Sequence, residues 1–276
     1  MDNSLSSTPL AGKIAVVTGG TQGLGEAIAR LFAARGAAAV VICGRNAARG
    51  EAVAASLAEG GCASEFVQAD LAKVDDCRTV IAAADRRFGR IDALVNAAGI
   101  SSRGSLLDTS EALFDHIFAV NVRAPFFLIQ DAARLMRARG TQGTVVNIMS
   151  MSAHGGQSFL SAYSTSKGAL ATLTRNAAYS LMPDRIRVNG LNIGWMDTPG
   201  EHTVQTETHH AAPDWLAQAE RQQPFGRLLK PAEVARAVCF LSSEESGLMT
   251  GSVIDFDQQV LGANDISACP QRRLPD

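Results

Sequence analysis

Tyr163 and Lys167 are the two residues whose types and spacing most directly suggest chemistry. They stand four positions apart in Y-S-T-S-K, thirteen residues after Ser150. Positions i and i+4 lie on the same face of a helix, so the phenol and the ammonium can reach one site. A serine at the end of a strand could face them across that site.

The chemistry that this pair predicts is proton transfer near neutral pH. Lowering a tyrosine pKa from about 10 towards 7 takes roughly 4 kcal/mol of preferential phenolate stabilisation. A cation about 4 Å away, at an effective dielectric constant near 20, supplies about that much. We therefore expect Lys167 to lower the pKa of Tyr163, so that the tyrosine acts as a general acid/base. Ser150 is the third catalytic candidate, and nearby Ser152 is the weaker one.

A glycine-rich segment, T-G-G-T-Q-G-L-G, follows the first predicted strand and precedes a predicted helix. Glycines at this position let the backbone approach a pyrophosphate, and the unpaired N–H groups at the start of the helix favour its negative charge. Turns also collect glycine, but the position between strand and helix favours dinucleotide binding. The candidate cofactor contacts in this segment are Gly19, Thr21, Gln22, Gly23, Leu24 and Gly25.

Coenzyme selectivity should be set just after the second strand, in V-V-I-C-G-R-N. An acidic side chain there would bind the ribose hydroxyls of NAD, whereas a cation would bind the 2′-phosphate of NADP. Gly44 stands where we look for the acid, and Arg45 follows it. This favours NADP(H), with NAD(H) still possible, although Arg45 could also be a solvated residue at the start of a helix.

The whole chain predicts one α/β domain, residues 1–276, built on a doubly wound parallel sheet of the Rossmann type. Short β-branched runs alternate with longer alanine-rich stretches, as in βαβ units. A polar segment, residues 194–224, is expected to form a substrate lid, and residues 1–10 and 262–276 are expected to be loosely held tails. We predict strands near Ile14–Thr18, Ala39–Cys43, Glu65–Ala69, Ala93–Asn96, Thr144–Ser150, Arg187–Asn192 and Ser252–Phe256.

Composition excludes several classes of partner. Lys and Arg number 25 against 27 Asp and Glu, with no long run of one sign, so neither a nucleic acid nor an anionic membrane surface is expected as a partner. The N-terminus lacks the pattern of a signal peptide, and we expect no membrane-spanning run. Five scattered cysteines without a C-x-x-C pair predict reduced thiols in a cytoplasmic protein. Four histidines lack a metal-binding pattern, so no metal is expected; they are His154, His202, His209 and His210.

These motifs together resemble those of the short-chain dehydrogenase/reductase family, over nearly the whole chain from Lys13 to Asp257. The resemblance implies a Rossmann-type domain, interconversion of an alcohol and a carbonyl with a nicotinamide coenzyme, and usually a homotetramer. It gives Tyr163 the proton transfer, Ser150 the substrate oxygen and Lys167 the nicotinamide ribose. Further positions carry over as a relay-water anchor (Asn121), an adenine contact (Asp70 with Leu71), the wall by the cofactor (Asn96 and Gly99) and contacts near the nicotinamide (Ile193 and Thr198).

Three positions depart from the family pattern. The usual N-N-A-G is N-A-A-G at Asn96, the Pro-Gly pair is Ile193-Gly194, and the terminal D-G-G is Asp257-Gln258-Gln259. The last change puts polar amides after the final strand, where we expect them close to an active site.

The leading hypothesis is an NAD(P)-dependent oxidoreductase that acts on a small polar substrate such as a sugar or polyol. The polar segments expected around the site favour such a substrate. One alternative is a 3-oxoacyl-thioester reductase, whose carrier protein would need a basic docking face. Another, from a different class, is a catalytically idle cofactor sensor or scaffold on the same fold. The arginines available for a docking face are Arg103, Arg134, Arg137 and Arg139.

Overall fold

The structure is a computed structural model, and it describes residues 8–261. Most of the two predicted tails, together with Cys269, lies outside the described residues. Leu10, at the end of the predicted N-terminal tail, is buried, and its N–H donates to the Arg35 carbonyl oxygen at 3.1 Å. This residue is therefore packed against the domain, and our expectation of a loose tail is wrong for it.

Within the described residues, seven parallel strands form one sheet in the order β3-β2-β1-β4-β5-β6-β7. The order reverses between β1 and β4, as in a doubly wound fold, so the predicted fold class is confirmed. The strands are β1 (Ile14–Thr18), β2 (Ala39–Gly44), β3 (Ala63–Gln68), β4 (Ala93–Asn96), β5 (Thr144–Ser150), β6 (Arg187–Ile193) and β7 (Val253–Phe256).

The predicted strand bounds differ most at β3, which begins two residues before the predicted Glu65. Its pairing with β2 begins at Ala63 opposite Ala39, so the register of the neighbouring strand determines where β3 starts. β3 lies at the edge of the sheet and is only partly buried. Its sequence, A-S-E-F-V-Q, therefore lacks the continuous apolar run of the central strands.

Helices cover both faces of the sheet. They are α1 (Gly23–Ala34), α2 (Ala47–Glu59), α3 (Val74–Phe88), α4 (Glu111–Phe118), α5 (Ala124–Arg139), α6 (Ser161–Leu181), α7 (Pro199–Thr203), α8 (Trp215–Arg221) and α9 (Pro231–Ser242). Alternate residues of β1 enter opposite cores: Val16 packs in a cluster with residues of α3 and α5, whereas Val17 packs in one with residues of α1 and α9. A central strand buried on both faces must be apolar at every position.

Pro125 does not break the helix that contains it. α4 and α5 are joined by a π-helical turn, Ala119–Arg123, into one continuous stretch from Glu111 to Arg139. Proline has no N–H to donate, and a locally widened turn accommodates that missing bond. π-turns often occur at functional sites, and this one contains Asn121.

By length and composition, this continuous stretch is long and apolar enough to cross a membrane, contrary to our expectation of no such run. In the fold, its inner side packs in the core and its outer side is exposed. Leu128, Ala132 and Met136 are almost fully buried, and α5 packs beside α3.

Candidate active site

A cleft of about 660 Å³ opens at the carboxyl ends of the strands, where ligands bind in doubly wound sheets. Most of the candidate site residues line it. Those that do are Gly19, Thr21, Gln22, Gly23, Leu24, Arg45, Asp70, Leu71, Gly99, Ser150, Tyr163, Lys167, Ile193 and Thr198. Three candidates, Gly25, Asn96 and Asn121, do not line the cleft.

The glycine-rich loop packs tightly against its surroundings. Gly19 has a φ of +67°, and a Cβ there would lie 3.0 Å from the Ala98 Cα. A Cβ on Gly25 would lie 2.2 Å from the Gly19 carbonyl oxygen, so Gly25 stands behind the loop and lets α1 approach it. At the start of α1, the Gln22 side chain makes no capping hydrogen bond. The first N–H groups of α1 are thus left available for an anion such as the pyrophosphate of a dinucleotide.

At the end of β2, where an acidic side chain would bind the ribose hydroxyls of NAD, Gly44 packs against the Thr21 side chain. A Cβ on Gly44 would lie 2.7 Å from Thr21 Cγ2. Arg45, the next residue, is exposed and lines the cleft. A second cation, Arg49 on α2, donates to the Gln22 side chain and thereby lies beside the glycine-rich loop.

Asp70 follows β3 and forms a tight turn. One of its carboxylate oxygens accepts the Ala72 N–H at 3.1 Å, while its own N–H donates to Asp76 at 2.8 Å. The carboxylate lies in the wall of the cleft, at the expected adenine end. Leu71, beside it, lines the cleft and is also part of the buried core.

Ser150, Tyr163 and Lys167 meet in the other half of the cleft. Ser150 is the last residue of β5, and the other two lie one turn apart on α6. The Lys167 ammonium is buried and donates to the Ile148 carbonyl oxygen at 3.0 Å. It lies 5.7 Å from the centroid of the Tyr163 ring. The predicted catalytic group is therefore assembled in one place.

The electrostatics of this group differ from the expectation. Burial raises the pKa of Tyr163 above its usual value of 10; the adjacent Ser150 hydroxyl lowers it, and the Glu201 carboxylate raises it. Burial also lowers the pKa of Lys167 to about 8. The predicted lowering of the tyrosine pKa by Lys167 is absent from this structure, because the loss of solvation on burial dominates the Tyr163 pKa. The Lys167 ammonium is bonded to the Ile148 carbonyl oxygen.

Ser150 belongs to a short chain of hydrogen bonds that the sequence did not predict. Its Oγ accepts the Ser152 N–H at 3.1 Å and donates to the Ser152 Oγ at 3.1 Å. The Ser152 hydroxyl in turn donates to Gln157 Oε1. All three side chains line the cleft. Ser152 thus orients the Ser150 hydroxyl.

Asn121 lies behind the catalytic group. Its side-chain oxygen accepts the Ile100 N–H at 3.0 Å, and its Nδ2 donates to the Ile100 carbonyl at 2.9 Å and to Ser166 Oγ at 3.0 Å. The side chain is fully buried. Through these bonds, Asn121 connects the loop after β4 with Ser166 of α6, the residue that precedes Lys167.

Asn96 is placed differently from the expectation that it forms the wall by the cofactor. Its Nδ2 donates to Asn147 Oδ1 at 2.8 Å, and Asn147 donates to Thr174 Oγ1 at 2.9 Å. This polar ladder crosses the buried centre of the fold from β4 to α6. Position 96 ends its strand with the side chain turned away from the cleft, so Gly99 alone of that pair lines the wall.

Residues 194–224 form α7, a π-helical turn and α8, and several of them line the cleft beside the catalytic group. Thr198 caps α7, where its hydroxyl accepts the Glu201 N–H at 3.0 Å. Glu201 Oε1 accepts from the Trp195 indole at 2.8 Å and from Gln205 at 2.7 Å. A polar network therefore stabilises the part of this segment that faces Tyr163.

The histidines serve separate local contacts. His154 pairs with Asp255 at 2.8 Å, and His202 pairs with Asp197 at 2.9 Å. His209 lines the cleft. Across residues 8–261, no group of three or more His, Cys, Asp or Glu side chains could hold a metal ion.

Comparison with known proteins agrees with this architecture. A family model described as Enoyl-(Acyl carrier protein) reductase matches residues 19–258. The galactitol 2-dehydrogenase of Agrobacterium fabrum is 30% identical over 254 residues, which cover 90% of this chain and 97% of that protein.

Two solved structures are also similar. A short-chain type dehydrogenase/reductase from Mycobacterium marinum has a TM-score of 0.82 and 32% identity, covering 92% of this chain and 97% of that one. The L-sorbose reductase of Gluconobacter frateurii, complexed with NADPH and L-sorbose, has a TM-score of 0.87 and 28% identity, covering 94% and 100%.

A doubly wound sheet, a glycine-rich loop at its switch point and the Ser150, Tyr163 and Lys167 group define the class: an NAD(P)-dependent oxidoreductase that interconverts alcohols and carbonyls. The chain belongs to the short-chain dehydrogenase/reductase family.

Proposed function

We propose that the enzyme oxidises or reduces a small polar substrate, a sugar or polyol, at one secondary alcohol or carbonyl group. The observation that carries this proposal is the polar lining beside the catalytic group. That lining includes Arg103, Ser152, Gln157, Glu201, Gln205, His209, Gln223 and Gln259. Trp195 adds an aromatic face, but its indole N–H is committed to Glu201. Polar groups that match substrate hydroxyls discriminate strongly against analogues without them. Two similar proteins, named galactitol 2-dehydrogenase and L-sorbose reductase, support the same substrate class.

In the oxidation direction, the substrate hydroxyl binds between the side chains of Ser150 and Tyr163. The bound nicotinamide supplies the hydride acceptor. Tyr163, as the phenolate, accepts the hydroxyl proton while the C–H bond breaks. The Ser150 hydroxyl, which donates to Ser152 Oγ in the free protein, turns to donate its one proton to the substrate oxygen. In reduction, the Tyr163 phenol returns the proton to the forming alkoxide.

Lys167 has one main task in this proposal, which is to hold the ribose of the coenzyme with its ammonium. In the coenzyme-free structure its charge does not lower the pKa of Tyr163, which burial raises. Because burial lowers the pKa of Lys167 to about 8, this lysine can also lose a proton near the working pH. Asn121 positions α6 through Ser166. We assign a relay water to the Asn121 backbone carbonyl, since its side-chain amide is already bonded to Ile100 and Pro125 has no N–H to donate.

We also propose a preference for NADP(H). Arg45 and Arg49 place two cations where the 2′-phosphate would bind, and Thr21 occupies the space that an acid at position 44 would need. The similar L-sorbose reductase structure contains NADPH, which supports this preference.

The 3-oxoacyl-thioester alternative is less well supported. Three of the four arginines considered for a docking face are paired on the surface: Arg134 with Asp131, Arg137 with Asp184 and Arg139 with Asp85. Arg103 lines the cleft instead, where it stacks 4.8 Å from the Phe159 ring centroid. The carrier protein would thus meet charges that are largely neutralised. A catalytically idle scaffold would not need Ser150, Tyr163 and Lys167 to be assembled in one place. This alternative is therefore also less well supported.

A homotetramer in the cytoplasm completes the proposal. The outer side of α4 and α5 carries exposed Phe114 and Phe126 beside a second cavity of about 620 Å³. Two-fold contacts are a common way to bury such apolar surfaces. Buried thiols at Cys43, Cys62, Cys77 and Cys239 fit a reducing compartment.

A substrate screen tests the proposal. Sorbitol, galactitol and L-sorbose would be compared with cyclohexanol and a hydrophobic ketone, each with both coenzymes, by nicotinamide absorbance. We expect higher kcat/KM for the hydroxylated compounds. A clear preference for the hydrophobic alcohol and ketone would overturn the proposed substrate class.

A further inference from the structure

Gln258 bonds the backbone of a distant segment at two points. Its Oε1 accepts the Phe225 N–H at 2.8 Å, and its Nε2 donates to the Arg227 carbonyl oxygen at 2.7 Å. The primary amide thus bonds residues 225 and 227 in the way a neighbouring strand would. A glycine, which the family pattern has at this position, could make neither bond.

The segment held in this way, residues 223–230, leads back from the lid to α9. The end of this segment near α9 is bonded to the start of the lid. The Leu229 N–H donates to the Trp195 carbonyl at 3.0 Å, and the Asp197 N–H donates to the Leu229 carbonyl at 2.9 Å. Arg227 also forms two 2.7 Å bonds with Glu233 at the start of α9. Gln258 supplies the attachment between this segment and the end of β7.

The residues on either side of this attachment face the cleft. Gln223 lies at the start of the segment, Asp257 and Gln259 flank Gln258, and all three line the cleft. Gly194 makes room for the end of β7, because a Cβ there would lie only 1.9 Å from Asp257 Oδ1. Two of the three departures from the family pattern, at 193–194 and 257–259, therefore meet at one place in the fold.

The amides of Gln223 and Gln259 are available to a ligand. Within residues 8–261, the Gln259 side chain has no hydrogen-bond partner, and the Gln223 side chain makes one long bond, from Nε2 to the Ala219 carbonyl at 3.5 Å. A primary amide both donates and accepts, as a hydroxyl group does. Its neutrality also suits an uncharged polyol.

We propose that Gln223 and Gln259 form a subsite that binds substrate hydroxyl groups away from the reacting carbon. Gln258 is the positioning residue that holds the two sides of this subsite together. The inference rests on the proposed function, because it names the residues that recognise a polyhydroxylated substrate.

The subsite is tested with Gln259→Leu and Gln223→Leu, using sorbitol, galactitol and cyclohexanol as substrates. The matched control is Gln218→Leu, an exposed glutamine on α8 that bonds Asp214 outside the cleft. Each subsite variant should lower kcat/KM for the polyols by about tenfold, the cost of one lost hydrogen bond, chiefly through KM. Cyclohexanol turnover and NADP+ affinity should stay unchanged, as should every activity of the control.

The attachment itself is tested with Gln258→Gly. We expect faster hydrogen exchange at the Phe225 amide and a raised polyol KM, with unchanged NADP+ affinity. Unchanged exchange at Phe225 would contradict the positioning role of Gln258.

Two outcomes separate this inference from the proposed function. Suppose that the wild type oxidises the polyols, and that Gln223→Leu and Gln259→Leu keep its ratio of polyol to cyclohexanol kcat/KM. That result would overturn the subsite alone. Oxidation of cyclohexanol but of neither polyol by the wild type would overturn both.

Discussion

The Lys167 ammonium donates a 3.0 Å hydrogen bond to the carbonyl oxygen of Ile148, two residues before the end of the strand that carries Ser150. This bond ties α6 to β5, so it fixes the distance between the two elements that deliver the catalytic side chains. The lysine is almost fully buried, so its ammonium has lost most of the solvation by water that it would have at the surface.

The buried lysine predicts a pH dependence of stability in the coenzyme-free protein. Burial lowers its pKa from 10.5 to about 8. Between these pH values the unfolded chain keeps a proton that the folded protein has lost, so the lysine contributes a rise in stability with pH across the window. The full contribution is roughly 3 kcal/mol. Denaturant unfolding of wild type and Lys167→Met at pH 7.5 and 10 measures it, because other titrating groups are common to both proteins. An equal pH response in the two proteins would contradict the burial argument.

Glu201 predicts a shift in the pH profile of alcohol oxidation. Its carboxylate raises the pKa of Tyr163, and oxidation needs the phenolate. Glu201→Gln removes the charge but keeps an oxygen to accept from Trp195. The acidic limb of the kcat/KM profile should therefore move to lower pH. Glu207→Gln, an exposed residue of the same lid, is the control and should leave the profile in place. A shift to higher pH in Glu201→Gln would refute the assignment.

The two arginines after β2 predict the coenzyme preference. Arg45→Ala and Arg49→Ala should each weaken NADPH binding by about tenfold, since bonds to charged groups contribute about 1.5–3 kcal/mol. NADH binding should change little, because NADH lacks the 2′-phosphate. Arg236→Ala, which removes an exposed cation on α9, is the control. Titration of coenzyme fluorescence gives these affinities. Equal losses for both coenzymes would indicate that the arginines do not recognise the 2′-phosphate.

The elements that sequence predicted best are those determined by local pattern. β1, β4 and β5 have the predicted bounds because continuous apolar runs end at polar or glycine-rich turns. The glycine-rich loop and the i, i+4 pair on α6 likewise depend on short segments. Each of these could be found from a few adjacent residues.

The features that sequence missed depend on contacts between distant segments. Arg49 reaches Gln22 only because α1 and α2 pack on the same face of the sheet, and Gln258 reaches Phe225 across 33 positions of chain. Asn96 was misplaced because its position at a strand end does not reveal which way the side chain points. The pKa of Tyr163 is higher than predicted because burial disfavours the phenolate, and the i, i+4 spacing of Lys167 does not reveal that burial.

The apolar outer side of α4 and α5 predicts assembly. Phe126 is 47% exposed, so Phe126→Asp should leave the fold intact but prevent the packing of two copies there. Light scattering at micromolar concentration should give a tetramer for the wild type and a smaller species for the variant. The control is Leu248→Asp, which alters an exposed apolar residue away from this surface. A monomeric wild type would rule out the proposed assembly.

Replacement of the catalytic phenol tests the central claim most directly. Tyr163→Phe and Tyr179→Phe each remove one hydroxyl from α6, but Tyr179 is 79% exposed and lies away from the cleft. With a substrate from the screen, Tyr163→Phe should lower kcat by at least about 10²-fold, the usual cost of losing a general acid/base, with coenzyme affinity preserved. Tyr179→Phe should retain wild-type turnover. Near wild-type turnover by Tyr163→Phe would contradict the account of this enzyme.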